Sequence, residues 1–156
     1  MKKLIAITLC IALVLAMAAC GSTQGGNAKL VDGTLSEIFA KIYENADVDS
    51  LGTYEVPVDD TNKSGMLGTD AVSFVEGLAS EAMIMTIPHS MVLLRIDENA
   101  DVEKIKQLIR ENVDPRKWIC VGVEADQVIV DSIGDLVFLV MSENAAAYHE
   151  SFLKLA

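Results

Sequence analysis

Nitrogen and sulfur ligands are scarce in this chain. It has two histidines, His89 and His149, and three cysteines, Cys10, Cys20 and Cys120, all widely spaced. A zinc or copper centre legible in sequence needs several such ligands at short spacing, so no metal of that kind and no other cofactor is expected. Basic residues are outnumbered, 12 Lys and Arg against 23 Asp and Glu, a formal charge of −11. A surface of that sign repels phosphates, which argues against nucleic acid as a partner. The glycine-rich phosphate loop, the Gly-x-Ser-x-Gly elbow and the dinucleotide fingerprint are all missing. The longest uncharged apolar run, Leu4 to Ala19, would rise about 24 Å as a helix, short of the ~30 Å hydrocarbon core of a bilayer.

That run follows Met1-Lys2-Lys3, the layout of a secretory signal. It ends in Leu15-Ala16-Met17-Ala18-Ala19-Cys20-Gly21, which resembles the lipobox of bacterial lipoproteins: small residues ahead of a cysteine, then glycine. The resemblance implies cleavage between Ala19 and Cys20 and lipid on the Cys20 thiol, where two or three acyl chains at about 0.8 kcal/mol per buried methylene would anchor a small domain firmly. Met17 departs from the motif, standing where leucine is usual. An ordinary signal cut near Ala19, leaving a free thiol, and an uncleaved anchor are the alternatives. We therefore expect a signal peptide over residues 1–19, a lipidated flexible tether over 20–33 and one globular domain over 34–156, held at the extracytoplasmic face of the cell membrane. Removing the leader takes two lysines and no acid, so the exported part is more acidic than the whole. With Cys10 gone and Cys20 acylated, Cys120 has no disulfide partner. In Trp118-Ile119-Cys120-Val121 it reads as a small buried hydrophobe.

Within the domain, Thr34-Leu35-Ser36-Glu37 is a capping box, and Leu35, Ile38, Phe39, Ile42, Tyr43 and Ala46 recur at helical spacing. Tyr54 to Val58 alternates around Pro57, as a loop or short edge strand does, and Asp59 to Gly68 reads as a loop. Ala71 to Leu78 and Met91 to Ile96 read as strands, while the state of Glu81 to Ile87 is open. Asn99 or Asp101 caps a second helix with a stripe of Val102, Ile105, Leu108, Ile109 and Val113, ended by Asp114-Pro115. Val128 to Val130 and Leu136 to Met141 flank a hairpin loop, Asp131 to Asp135. Ser142 then caps a last helix whose Ala145, Tyr148, Phe152 and Leu155 face inward. The order α-β-β-α-β-β-α predicts a single α+β domain, a mainly antiparallel sheet with helices packed on one face.

The strand Ser90 to Ile96, the helix after it and the hairpin Val128 to Val140, behind a lipobox, resemble a family of small surface lipoproteins of Gram-positive, clostridial-type anaerobes known only as a domain of unknown function. The resemblance implies one exported domain and brings no activity or functional residues with it.

Several short patterns invite chemistry. Asp60, Asn62 and Ser64, with Gly65 behind them, match the opening of a calcium loop, but position twelve is Ala71 where a bidentate carboxylate is needed, so a solvated turn is the expectation. Ser151-Phe-Leu-Lys154, Ser142-Glu-Asn144 and Lys63-Ser-Gly65 match the motifs of penicillin-recognising serine enzymes in reverse order, which marks them as chance. His89 and His149 read as polar surface or strand-edge residues. Glu76 and Glu81 are the candidate carboxylate pair of a hydrolase. Trp118, beside Arg116 and Lys117, is the candidate interaction anchor, with a core aromatic closing the second helix as the alternative. The expected function is a non-enzymatic, membrane-anchored module that binds an envelope protein or cell-wall component. A small cell-wall or peptide hydrolase and a solute-binding accessory protein stay open beside it.

Overall fold

The computed structural model describes residues 30–156. The expected leader, Cys20 and most of the tether lie outside them. The described elements are α1 (Leu35–Asn45), β1 (Thr53–Pro57), α2 (Lys63–Leu67), β2 (Glu76–Ala82), β3 (His89–Arg95), α3 (Val102–Asn112), a 3-10 turn (Ala125–Gln127), β4 (Val128–Ile133), β5 (Leu136–Ser142) and α4 (Ala145–Leu153). The five strands form one sheet in the order β1-β2-β3-β5-β4, antiparallel at every step. This is a single α+β domain.

The helices cover both faces of the sheet, not one. Continuous apolar strands explain the difference, because successive side chains point to opposite faces and a strand apolar throughout needs cover on both. Along β3, Met91 and Leu93 bury against α1 and α4 through Ile38, Phe39, Tyr148 and Phe152. Val92 and Leu94 bury against α3 through Ile105 and Ile109. Strand β5 splits the same way, Phe138 and Val140 to the first layer, Leu139 and Met141 to the second.

The caps of α1 and α3 follow the sequence. Thr34 accepts from the Glu37 amide while the Glu37 carboxylate accepts from the Thr34 amide. Asp101, rather than Asn99, caps α3 by accepting from the Lys104 amide. Elsewhere the elements shift. Tyr54 to Pro57 is a paired edge strand. The loop after it contains α2, started by Asp59, whose carbonyl accepts from the Lys63 amide, and stopped by Gly68 at φ 77°. The strand expected from Ala71 begins only at Glu76 and runs through Ala82. The β4–β5 hairpin closes in two residues, Gly134 and Asp135, between the paired Ile133 and Leu136. Gly134 has φ 56°, the left-handed conformation that a tight hairpin turn requires at its first position. Ser142 does not cap α4: it is the buried last residue of β5, and Asn144 precedes the helix without a side-chain cap.

The two ends of the sheet are chemically different. At one end the partly buried Arg95 pairs with the buried Asp135, and the pair also holds the incoming chain. Asp135 accepts from the Val31 amide at 2.9 Å, and Arg95 donates to the carbonyls of Val31 at 3.2 Å and Gly33 at 2.9 Å. The last residues of the expected tether are therefore pinned to the domain, and the preceding chain enters there. The other end lies roughly 20 Å away along the seven residues of β3.

Candidate functional site

Polar side chains collect at this far end of β2, β3 and β5, on both faces. On the α1/α4 face, His89 is fully buried as the first residue of β3, correcting its expected surface position. Its Nε2 lies 2.9 Å from the Tyr43 hydroxyl and its Nδ1 3.1 Å from Ser142 Oγ. Tyr43 Oη also lies 2.8 Å from Ser80 Oγ. Burial, joined by the charge of Lys117, lowers the His89 pKa to about 4, so the imidazole is neutral at pH 7. Burial pushes Tyr43 up to about 12. A neutral imidazole has one N–H, so His89 donates to one of its hydroxyl neighbours and accepts from the other.

On the opposite face, directly behind, Lys117 Nζ lies 2.8 Å from Glu81 Oε1 and 3.0 Å from Ser90 Oγ, and Ser90 donates to Glu81 at 2.6 Å. Strand alternation places these groups back to back, with Ser80 and His89 to one side and Glu81 and Ser90 to the other. The same alternation separates the candidate pair Glu76 and Glu81. They stand five residues apart on β2, so they point to opposite faces, and Glu76 is exposed beside Arg95 at the other end of the strand. They do not converge on one cleft, which removes the hydrolase arrangement built on them.

The remaining candidates separate as well. Asn62 accepts from the Asp59 amide and donates to the Pro57 carbonyl, Asp60 pairs with Lys63 at 2.7 Å, and Ser64 is inside α2. These contacts build a helical turn rather than a calcium loop, and no cluster of three or more His, Cys, Asp or Glu side chains placed to hold a metal occurs among the described residues. Ser151 is buried and donates to the Ile42 carbonyl, tying α4 to α1. His149 Nε2 lies 2.7 Å from Asp131. Burial pushes the Asp131 carboxyl up, but the His149 hydrogen bond, the Ser132 amide and the charges of His149 and Lys106 together hold it below its ordinary value.

Trp118 is half-buried against the α3-side core, with Lys117 Nζ 5.5 Å from its ring centroid. Cys120, expected in the core, is exposed and has φ 66°, because the turn throws Ile119 and Cys120 outward once Trp118 has been seated.

Two clefts open at this end beside the His89 network. One, about 310 Å³, is lined by Tyr43, Asp49, Ser50, Thr53 and Tyr148 among others. The second, about 190 Å³, shares Asp49, Ser50, Leu51 and Tyr148 and adds Ser142, Glu143 and Asn144. Sequence reasoning missed both, since loop residues 46–52 carry no periodic signal and meet the start of α4 only through the fold. Beside the clefts, the turn after β2 exposes Met83 (67 %), Ile84 (57 %) and Met85 (62 %).

Comparison with protein-family models, with curated proteins and with solved structures finds no match to this chain.

Proposed function

We propose that this chain is a lipid-anchored, extracytoplasmic binding module that presents the far end of its sheet to a partner protein of the cell envelope. The observation that carries the reading is polarity along the domain. The chain enters at the Arg95–Asp135 clamp, whereas Tyr54, Met83, Ile84, Met85 and Ile119, five of the eight large exposed hydrophobic side chains among the described residues, lie at the opposite end with both clefts, and Leu30, Val75 and Leu153 lie toward the clamp. An excess of exposed apolar groups beside two clefts at one end of an acidic domain favours that end as an interaction surface. An anchor on Cys20 would point that surface away from the membrane.

The test is position-dependent photo-cross-linking in cells producing the full chain, with a photoreactive residue at Ile84 or, for comparison, at Leu153 near the clamped end. Discrete protein adducts from position 84 and none from 153 are the expected result. Equal labelling from both positions would refute the polarity, and a mature N-terminus with an unmodified Cys20 in mass spectrometry would refute the anchor.

A further inference from the structure

The two clefts share one hydroxyl, on an otherwise buried side chain, with no partner among the described residues. Tyr148 is 1 % exposed, lines both clefts, and its hydroxyl makes no hydrogen bond to any described residue, unlike that of Tyr43, which is engaged by Ser80 and His89. Its ring is fixed edge-on against Tyr43 and His89, with centroids 5.5 and 5.2 Å away, so the hydroxyl cannot swing to another acceptor without unpacking the core. A hydroxyl that keeps only slight contact with a cleft and has no partner among the described residues faces either water or a ligand. The rest of the lining gives the ligand's sign. Asp49 and Glu143 stand on the rims, neither carboxylate is in an ion pair with a described residue, and no Lys, Arg or His lines either cleft. Val48, Leu51, Ile87 and Pro88 supply apolar walls.

We infer that the paired clefts bind a protonated alkylamine, its ammonium group held between Asp49, Glu143 and the Tyr148 hydroxyl and its methylenes against the apolar walls. Acidic rims favour a cation, the hydroxyl accepts an N–H, and tyrosine rings add attraction for an ammonium within about 6 Å. A bare metal ion fits less well, because the apolar walls offer it nothing and metal binding favours several clustered oxygen ligands. The inference deepens the reading of this end as a binding surface, and an amine could arrive as a partner's lysine or as a free molecule.

The experiment is a titration of the isotopically labelled full chain in detergent micelles, read by amide resonances at 49–53 and 143–148. The probes are n-butylammonium, 1-butanol and butyrate, matched in size and differing in charge. Butylammonium is expected to produce saturable shifts with a Kd in roughly the millimolar range that a fragment of that size reaches. Tyr148→Phe should weaken it about fivefold, and Asp49→Asn about tenfold, corresponding to one hydrogen bond and one charge-assisted contact. Because the hydroxyl has no protein partner, Tyr148→Phe should leave the unfolding midpoint unchanged, which separates lost binding from lost folding. Equal shifts with butanol, no saturable shift with butylammonium, or full binding in both variants would overturn the site. In a second arm, tighter binding of acetyl-Leu-Lys-Leu-amide than of putrescine assigns the amine to a partner's lysine, and the reverse assigns it to a free amine; either supports the site. Cross-linking at Ile84 can fail while butylammonium binds, or succeed while it does not, so the two proposals fall separately.

Discussion

Acid should destabilise this domain in a window set by one histidine. His89 is fully buried, bonded to Tyr43 and Ser142, and its pKa is lowered to about 4 from 6.5. The folded value lies below the unfolded one, so as pH falls the unfolded chain takes up the proton first. The stabilising contribution is therefore complete above pH 6.5 and is lost as pH falls from there towards 4. Each tenfold difference in proton affinity between the folded and unfolded chain corresponds to about 1.4 kcal/mol, which makes the full loss about 3 kcal/mol, a large part of the roughly 5–15 kcal/mol by which domains are usually stable. The carboxyls whose values are lowered, Glu37, Asp59 and Asp131, act mostly below the histidine window, because their contribution persists until pH falls below their ordinary values, 4.5 for Glu37 and 3.8 for the two aspartates. Urea unfolding measured at closely spaced pH values from neutrality down to the folded pKa of His89 should show unfolding free energy falling across the histidine window. In His89→Gln, which keeps a donor and an acceptor for its neighbours, that fall should vanish. A wild-type curve flat over the window, the same slope in the variant, or a His89 titration midpoint by NMR at the ordinary histidine value would refute the reasoning.

Other perturbations test the frame around the site. Asp135→Ala leaves Arg95 without its buried partner and Val31 without its acceptor, so it should destabilise by about 3 kcal/mol and open residues 30–34 to limited proteolysis. Gly68→Ala combines a φ of 77° with a Cβ placed 2.0 Å from the Asn112 carbonyl oxygen at the end of α3. It should lower stability by at least about 3 kcal/mol in thermal unfolding, whereas Gly65→Ala, where a Cβ meets nothing, should not. Lys117→Met strands the Glu81 carboxylate and should reduce stability by about 3 kcal/mol, while the triple change Glu81→Met, Ser90→Ala, Lys117→Met should be neutral or stabilising in the same assay.

Local signals were legible where one residue type decides a conformation. The Thr34/Glu37 box, the Asp101 cap and the Gly134 turn each act within a few residues, and each is found where the sequence places it. The second helical layer was not legible, because a strand such as Met91 to Leu94 is equally apolar on both sides and only the fold shows what covers each. Ser142 illustrates the limit: a serine three residues before a helical stripe looks like a cap, but pairing with His89 carries β5 through it. Cys120 fails for a related reason, since the backbone turn rather than side-chain polarity decides which of Trp118, Ile119 and Cys120 goes inside. The site was least legible of all, because Tyr43, Ser80, His89, Ser142 and Tyr148 come from five elements and share no spacing.

The distribution of polarity along the strands nevertheless bears on what this domain is for. At the clamped end, beside the Arg95–Asp135 pair, β3 and β5 present Leu93, Leu94, Leu136 and Val137, all buried and apolar, which is what stability alone would select. At the far end β2, β3 and β5 present Ser80, Glu81, His89, Ser90 and Ser142, also buried but polar on both faces. Buried polar networks contribute less to stability than well-packed apolar side chains of similar volume, and they fix geometry more narrowly because each hydrogen bond has a direction. Every deeply buried side-chain polar atom among the described residues has a partner, so this end is finished rather than loosely assembled. The single hydroxyl left over, that of Tyr148, retains slight contact with the clefts and is held in place by groups that are themselves fully bonded. That network orients one free acceptor beside the Asp49 and Glu143 rims, at the end of the sheet farthest from where the chain enters, which is the geometry the proposed amine site requires.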